Sequence, residues 1–143
     1  MANEKILLVD DDTEFTDVLA ERMESRGLKV DTAGDGSTAI GKVNESSYDA
    51  IILDLAMPGM DGIETLKTLL KRQPDLQVIL LTGHATVEKG VEAVKLGAMD
   101  FLEKPTNIEK LIEKIKQAKN KKMLIVENKI EAEITKILRE KGW

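Results

Sequence analysis

The chain has no cysteine. A disulfide framework and a thiolate metal site are therefore both excluded, and a reducing compartment is permitted. It also lacks any excess of positive charge, with a formal net charge of −5 at pH 7. That argues against general binding to nucleic acid or to an anionic membrane, either of which needs a basic surface. No cationic start leads into a long apolar stretch, and no run is long enough to span a bilayer. Neither a signal peptide nor a membrane span is expected, and the expected location is the cytoplasm. What is present is ordinary globular material: 143 residues, 42% hydrophobic and 33% charged, suited to one domain with a proper core.

The most informative stretch runs from Ile51 to Gly62. Ala50 to Leu53 has no polar alternation, as expected of a strand covered on both faces in a parallel sheet. The run ends on Asp54, and Pro58-Gly59 and Asp61-Gly62 then form turns into a following helix. In open α/β sheets, ligands bind in the crevice beyond the carboxyl ends of the strands. Asp54 is expected there, although an aspartate at such a junction can also be a simple cap.

The same pattern recurs along the chain. Lys5–Val9 is an apolar run followed at once by Asp10, Asp11 and Asp12, of which Asp12 is best read as the cap of the next helix. Helical spacing covers Thr13 to Arg26 and stops at Gly27. Leu28–Ala33 reads as a strand, and Gly34-Asp-Gly36 as a plain turn into a helix over 37–46. It lacks the third glycine of a dinucleotide-binding loop. Ile63–Arg72 reads as a helix, Val78–Leu81 as a buried strand ending on Thr82-Gly83-His84, Thr86–Leu96 as a helix, and Met99–Leu102 as a brief strand leading to Lys104-Pro105. Thr106 to Glu109 has the spacing of a capping box opening another helix. Five such units imply an α/β fold, a doubly wound parallel sheet with helices on both faces and right-handed crossovers. They put Asp10, Asp11, Asp54, Thr82 and Lys104 on one rim.

Three converging carboxylates would repel one another unless a cation is present. A hard divalent ion such as Mg²⁺ suits them, since it takes one or two carboxylates together with waters and phosphate oxygens. A lysine and a threonine opposite would supply donors for phosphoryl oxygens around a carboxylate nucleophile.

At this point the chain resembles the response-regulator receiver domains of two-component signalling, from residue 4 to about residue 119. Leu8-Val9-Asp10-Asp11 resembles the acidic pair, Leu53-Asp54 to Gly62 the phosphoacceptor loop, Leu81-Thr82-Gly83 the switch hydroxyl, and Asp100-Phe101-Leu102-Glu103-Lys104-Pro105 the lysine and aromatic switch. The resemblance implies a flavodoxin-like sheet of order 2-1-3-4-5 and a phosphorylation-dependent switch that is not an enzyme. Asp54 would accept a phosphoryl group from a sensor histidine kinase or phosphotransfer protein. Mg²⁺ or Mn²⁺ would be held by Asp11, Asp54 and the Ala56 backbone carbonyl, with Asp10 acting through water. Thr82 and Lys104 would contact the phosphoryl oxygens. Phe101 would turn inward when Thr82 moves, changing the surface of the fourth helix, fifth strand and fifth helix. His84 and Ala56 would flank the approach of hydrolytic water. His84 is not expected to relay phosphate, and Met57 and Met60 read as loop packing.

Two rivals differ in class. A haloacid-dehalogenase-type phosphatase would use similar groups but needs a second aspartate two residues after the nucleophile, where this chain has Ala56. A receiver-like module that never accepts phosphate is disfavoured because the site residues are all present.

Residues 120–143 extend past the resemblance and form a separate expected region. No proline or glycine falls between Pro105 and Gly142, and Met123, Val126, Ile130, Ile134 and Ile137 follow helical steps. A mainly helical extension is expected. The alternative is a truncated second receiver start, because Lys122–Asn128 echoes Lys5–Asp11. The lysines from Lys110 to Lys122 read as a solvated face. The apolar stripe is expected to pack on its own receiver or on a second copy as a homodimer. With no DNA-binding or catalytic domain following, output by contact with a downstream protein target is expected, with no direct nucleic-acid or membrane partner.

Overall fold

The computed structural model describes residues 4–55, 62–83, 87–104 and 107–142. In chain order the elements are β1 (Lys5–Val9), α1 (Thr13–Glu24), β2 (Lys29–Ala33), α2 (Gly36–Glu45), β3 (Ala50–Asp54), α3 (Gly62–Arg72), β4 (Val78–Thr82), α4 (Val87–Lys95), β5 (Asp100–Glu103) and α5 (Ile108–Glu140). The strands form one parallel sheet in the order β2-β1-β3-β4-β5. This is the doubly wound arrangement that the strand-helix periodicity implies.

Successive residues of a strand point to opposite faces of the sheet, and here each face carries its own core. Leu7, Val9, Ile51, Leu53, Val78 and Leu80 pack with Ala39, Val43, Leu66 and Ala93 of α2, α3 and α4. Ile6, Leu8, Ile52, Ile79 and Leu81 pack with Leu19 and Met23 of α1 and with Leu111 and Ile115 of α5. Because β3 and β4 are buried throughout, neither face needs polar residues, which explains their unbroken apolar runs.

Local signals set the element ends. The Asp12 side chain caps α1 by accepting from the Phe15 amide at 3.1 Å, and Asp35 caps α2 by accepting from the Thr38 amide at 2.7 Å. Gly36 thus opens a helix behind a cap, the plain-turn reading of Gly34-Asp-Gly36. Past α1, Gly27 has a φ of +90°, which a side chain would disfavour. The cap of α5 departs from expectation. Asn107 holds that position and accepts from the Glu109 and Lys110 amides at 2.8 and 3.2 Å, while Thr106 lies outside the described residues.

Helix α5 runs unbroken for 33 residues. Lys122–Asn128 is inside it, so its echo of Lys5–Asp11 forms no strand. Only Leu111, Ile115 and Ala118 of this helix are buried. Beyond them Met123, Leu124, Ile130, Ile134 and Ile137 are 44–58% exposed, so within one chain the stripe does not pack on its own receiver; Trp143 lies outside the described residues. The lysines are not merely a solvated face. Lys114 pairs with Asp100 of β5 at 2.7 Å. Lys122 donates to the Tyr48 carbonyl at 2.7 Å, and Lys129 pairs with Asp75.

The Lys114–Asp100 pair ties α5 to β5. Burial alone would raise the Asp100 pKa, but the hydrogen bond and charge of Lys114 and the Phe101 amide outweigh it and hold the carboxyl below its ordinary 3.8. A depressed carboxyl pKa contributes stability above the unfolded-state value, and that contribution is lost as pH falls through the folded-state value. Asp100→Asn is therefore expected to lower stability at pH 7 by about 0.5–1 kcal/mol, allowing for solvent screening. In denaturant unfolding the gap to wild type should close as the pH is taken below 3.8. A gap that persisted unchanged at low pH would show that the charge of Asp100 is not what matters.

Candidate functional site

Strand parity places the site. Asp10 and Asp54 continue the sets Ile6-Leu8 and Ala50-Ile52, which face α1 and α5, and Lys104 continues that of Leu102. All three therefore project to the same side of the carboxyl rim. Thr82 continues Val78-Leu80 and lies on the opposite face, under α3 and α4, with Phe101.

On the first side, Asp10, Asp11 and Asp54 each offer a carboxylate oxygen within 4.8 Å of the others. Asp10 and Asp54 are buried, at 3% and 6% exposure, whereas Asp11 is exposed. Asp10 accepts the Asp12 amide at 3.0 Å, which fixes one of its oxygens. Its other oxygen is 3.0 Å from Lys104 Nζ, and an Asp54 oxygen is 3.6 Å from the same nitrogen. The lysine thus lies on the acidic cluster itself, not across from it. Burial would lower the Lys104 pKa, but the hydrogen bond and charge of Asp10, followed by the charge and hydrogen bond of Asp54, raise it above the usual 10.5. The ammonium stays charged.

A residue whose helical spacing marks it only as part of the apolar face of α1 completes this side. Phe15 partly packs in the core, yet its ring centroid is 4.5 Å from Lys104 Nζ, a cation–π distance. Its position in the first turn after the acidic triple is the only sequence signal for this contact. On the other side, Thr82 is fully buried, and its hydroxyl donates to the Leu102 carbonyl at 3.5 Å, the outer limit of a hydrogen bond. Phe101 is half-buried against the core. Ala56, Met57, Met60 and His84 lie outside the described residues.

Three carboxylates against one ammonium leave the cluster short of positive charge. The donors are all oxygens, as a hard divalent cation prefers, and they stand close enough to share one. The residues fit Mg²⁺ or Mn²⁺. Asp54 lies at a strand tip with a carboxylate oxygen 3.6 Å from Lys104 Nζ, and a carboxylate so placed has the chemistry of a nucleophile.

Comparison with known proteins points the same way. The family model described as response regulator receiver domain matches residues 6–116. The C4-dicarboxylate transport transcriptional regulatory protein DctD of Pseudomonas aeruginosa is 36% identical over 128 residues, 90% of this chain and 28% of that protein. Among solved structures, NtrX from Brucella abortus superposes with a TM-score of 0.84 at 31% identity, covering 90% of this chain and 30% of that one. A response regulator receiver domain protein from Clostridium thermocellum superposes with a TM-score of 0.80 at 33% identity, covering 85% and 98%. The chain spans between 24% and 28% of the length of the first curated relatives it matches.

Gly62 shows how closely the site is built. It opens α3, and a Cβ added there would lie 2.6 Å from Leu55 Cα, 2.9 Å from the Leu55 carbonyl oxygen and 3.0 Å from that of Asp54. The sequence suggests a turn former; the structure shows that close approach to the strand end, not an unusual φ, is what requires glycine. Gly62→Ala must displace the backbone at Leu55, next to Asp54, and overpacking of this kind costs about 1–3 kcal/mol. Denaturant unfolding should show that loss. Unchanged stability would mean that α3 can stand away from β3 without penalty.

Proposed function

The chain belongs to the response regulator receiver domain family, and from that premise we propose that it is a switch driven by phosphorylation of Asp54. The phosphodonor is a sensor histidine kinase or phosphotransfer protein, and the switch works in the cytoplasm. The observation that carries this reading is the convergence of Asp10, Asp11 and Asp54 with Lys104 3.0 and 3.6 Å from two of them. Among the described residues no helix is long and apolar enough to cross a membrane.

In this reading an Asp54 carboxylate oxygen forms a bond to phosphorus as the donor's nitrogen–phosphorus bond breaks, the electron pair leaving with the histidine nitrogen. Asp11 and Asp54, with the Ala56 carbonyl and with Asp10 acting through water, would hold Mg²⁺ or Mn²⁺. When bound, that ion would supply charge neutralisation for the transferring group. Lys104, already charged and backed by the Phe15 ring, turns part of its hydrogen bonding from the carboxylates to a phosphoryl oxygen. The Thr82 hydroxyl gives up a long bond to Leu102, so its turn toward the phosphoryl group forfeits little. Phe101 follows, and the surface of α4, β5 and α5 changes. The product is a conformational state read by another protein, so the role is that of a switch and not of a turnover enzyme.

We further propose that residues 1–119 form the receiver and residues 120–143 an extension that pairs with a second copy. Met123, Ile130 and Ile137 recur every seventh residue along an exposed helix, the spacing of a helix–helix seam. Burying each such side chain is worth about 1.5–3 kcal/mol. The downstream target is a protein met by this surface or by the α4–β5–α5 face.

Acetyl phosphate with Mg²⁺ should add a labile phosphoryl mass to the wild type. Asp54→Asn should remove it, and Asp11→Ala should abolish the metal-dependent labelling. Thr82→Ala should still be labelled but show a smaller amide-shift response. Robust labelling of Asp54→Asn at another residue, or a full response from Thr82→Ala, would overturn the respective assignment. Deleting residues 121–143 should leave labelling intact and lower the molar mass measured by light scattering. A truncated protein with unchanged association would end the pairing proposal.

A further inference from the structure

Three groups hold the Lys104 ammonium, and they differ in what a bound cation would do to them. Asp10 and Asp54 oxygens lie 3.0 and 3.6 Å from Nζ, and the Phe15 ring centroid lies 4.5 Å from it. Both carboxylates belong to the cluster that suits a divalent ion. An ion seated there would draw on the same oxygens and repel the ammonium. The ring offers a hard cation no oxygen ligand. It is therefore the one contact of the three that Lys104 keeps when the site is loaded.

The ring is fixed in place by the site itself. One Asp10 oxygen accepts the Asp12 amide at 3.0 Å, and the Asp12 side chain accepts the Phe15 amide at 3.1 Å. The Phe15 ring meets the lysine, and the lysine returns to the other Asp10 oxygen. These contacts close a circuit. The Thr16 hydroxyl fastens the same turn by donating to the Asp12 carbonyl at 2.8 Å, and Phe15 also packs on the core between the sheet and α1 and α5. Lys104, by contrast, carries its charge on a flexible four-carbon stem with 27% of the side chain exposed. Nothing in that stem would keep a repelled ammonium out of water.

We propose that Phe15 is a positioning residue that retains the Lys104 ammonium beside Asp54 when a cation occupies the carboxylates. This rests on the reading that Asp54 accepts a phosphoryl group and Lys104 contacts its oxygens. A phosphoryl group on Asp54 places oxygens near the present position of the ammonium, so the shift needed is small and stays within the cation–π range of about 6 Å. Leucine at position 15 keeps an apolar side chain against the core but removes the aromatic face. In the ion-loaded site the ammonium then turns to solvent, and a phosphoryl mimic must bring it back. Apparent affinity falls with the fraction of molecules that hold the lysine ready.

The test is a beryllofluoride titration of the full chain at saturating Mg²⁺, followed by amide chemical shifts. Phe15→Leu should bind about threefold or more weakly than wild type, and Phe15→Tyr, which keeps the aromatic face, should bind as wild type does. In a Lys104→Ala background, adding Phe15→Leu should change affinity much less, because the charge that the ring holds is gone. A second readout needs no variant: the ring-current displacement of the Lys104 Cε protons should persist when Mg²⁺ is added to wild type before any beryllofluoride. Equal affinity of Phe15→Leu and wild type, an equal loss with and without Lys104, or disappearance of the displacement on adding Mg²⁺ would each overturn the proposal. Should Phe15→Leu fail to fold, the wild-type displacement decides alone. A wild type that binds no beryllofluoride would instead overturn the switch reading, and this inference with it.

Discussion

The alternation of side chains across the sheet is the constraint on which the site depends. A one-residue slip in any strand would send its inward set to the other face, and the carboxylates at the strand ends would move with it. Asp54 is in register with Leu81, and Leu53 with Leu80. The apolar pairs below thus determine that Asp54 and Asp10 meet on the α1–α5 side. Hydrophobic burial holds together charges that would otherwise separate. The electrostatic penalty is reduced locally by Lys104, whose ammonium reaches two of the three carboxylates.

The same alternation divides the labour of the rim between two faces. Asp10, Asp54, Lys104 and the Phe15 ring form the chemical side, while Thr82 and Phe101 belong to the side under α4. In the proposed switch a signal has to cross the sheet, and Thr82 is suited to that because its buried side chain has a polar and an apolar branch on one carbon. The Lys104 amide donates to the Thr82 carbonyl at 2.7 Å, which joins the two sides through the backbone as well.

Most of this architecture is legible from the sequence, for identifiable reasons. Buried parallel strands must be apolar throughout, so Ala50–Leu53 and Val78–Leu81 stand out, and an acid or hydroxyl directly after such a run has only the rim to occupy. The strand boundaries were within about a residue because the turn residues mark them. Contacts made by absence are not legible: nothing in the string distinguishes Gly62, needed for close approach, from Gly27, needed for its φ. Phe15 satisfies helical spacing whether it meets a leucine or a lysine, so its contact with Lys104 depends on a strand end far along the chain. The cap of α5 shifted by one residue because Thr106 and Asn107 are both good caps, and only the local backbone decides between them.

The unbroken course of α5 makes it a lever. At about 1.5 Å of rise per residue its 33 residues span roughly 50 Å. Its seat ends near Ala118, the last buried residue, leaving an arm of roughly 30 Å to the final turn. A tilt of about 5° at the seat would carry the tip about 3 Å, a distance comparable to half a helical turn. The ties from Lys122 to Tyr48 and from Lys129 to Asp75 act on that arm through flexible lysine side chains, so they resist its swing and do not forbid it. Motion too small to register beside Asp54 can thus arrive enlarged at the far end of the molecule.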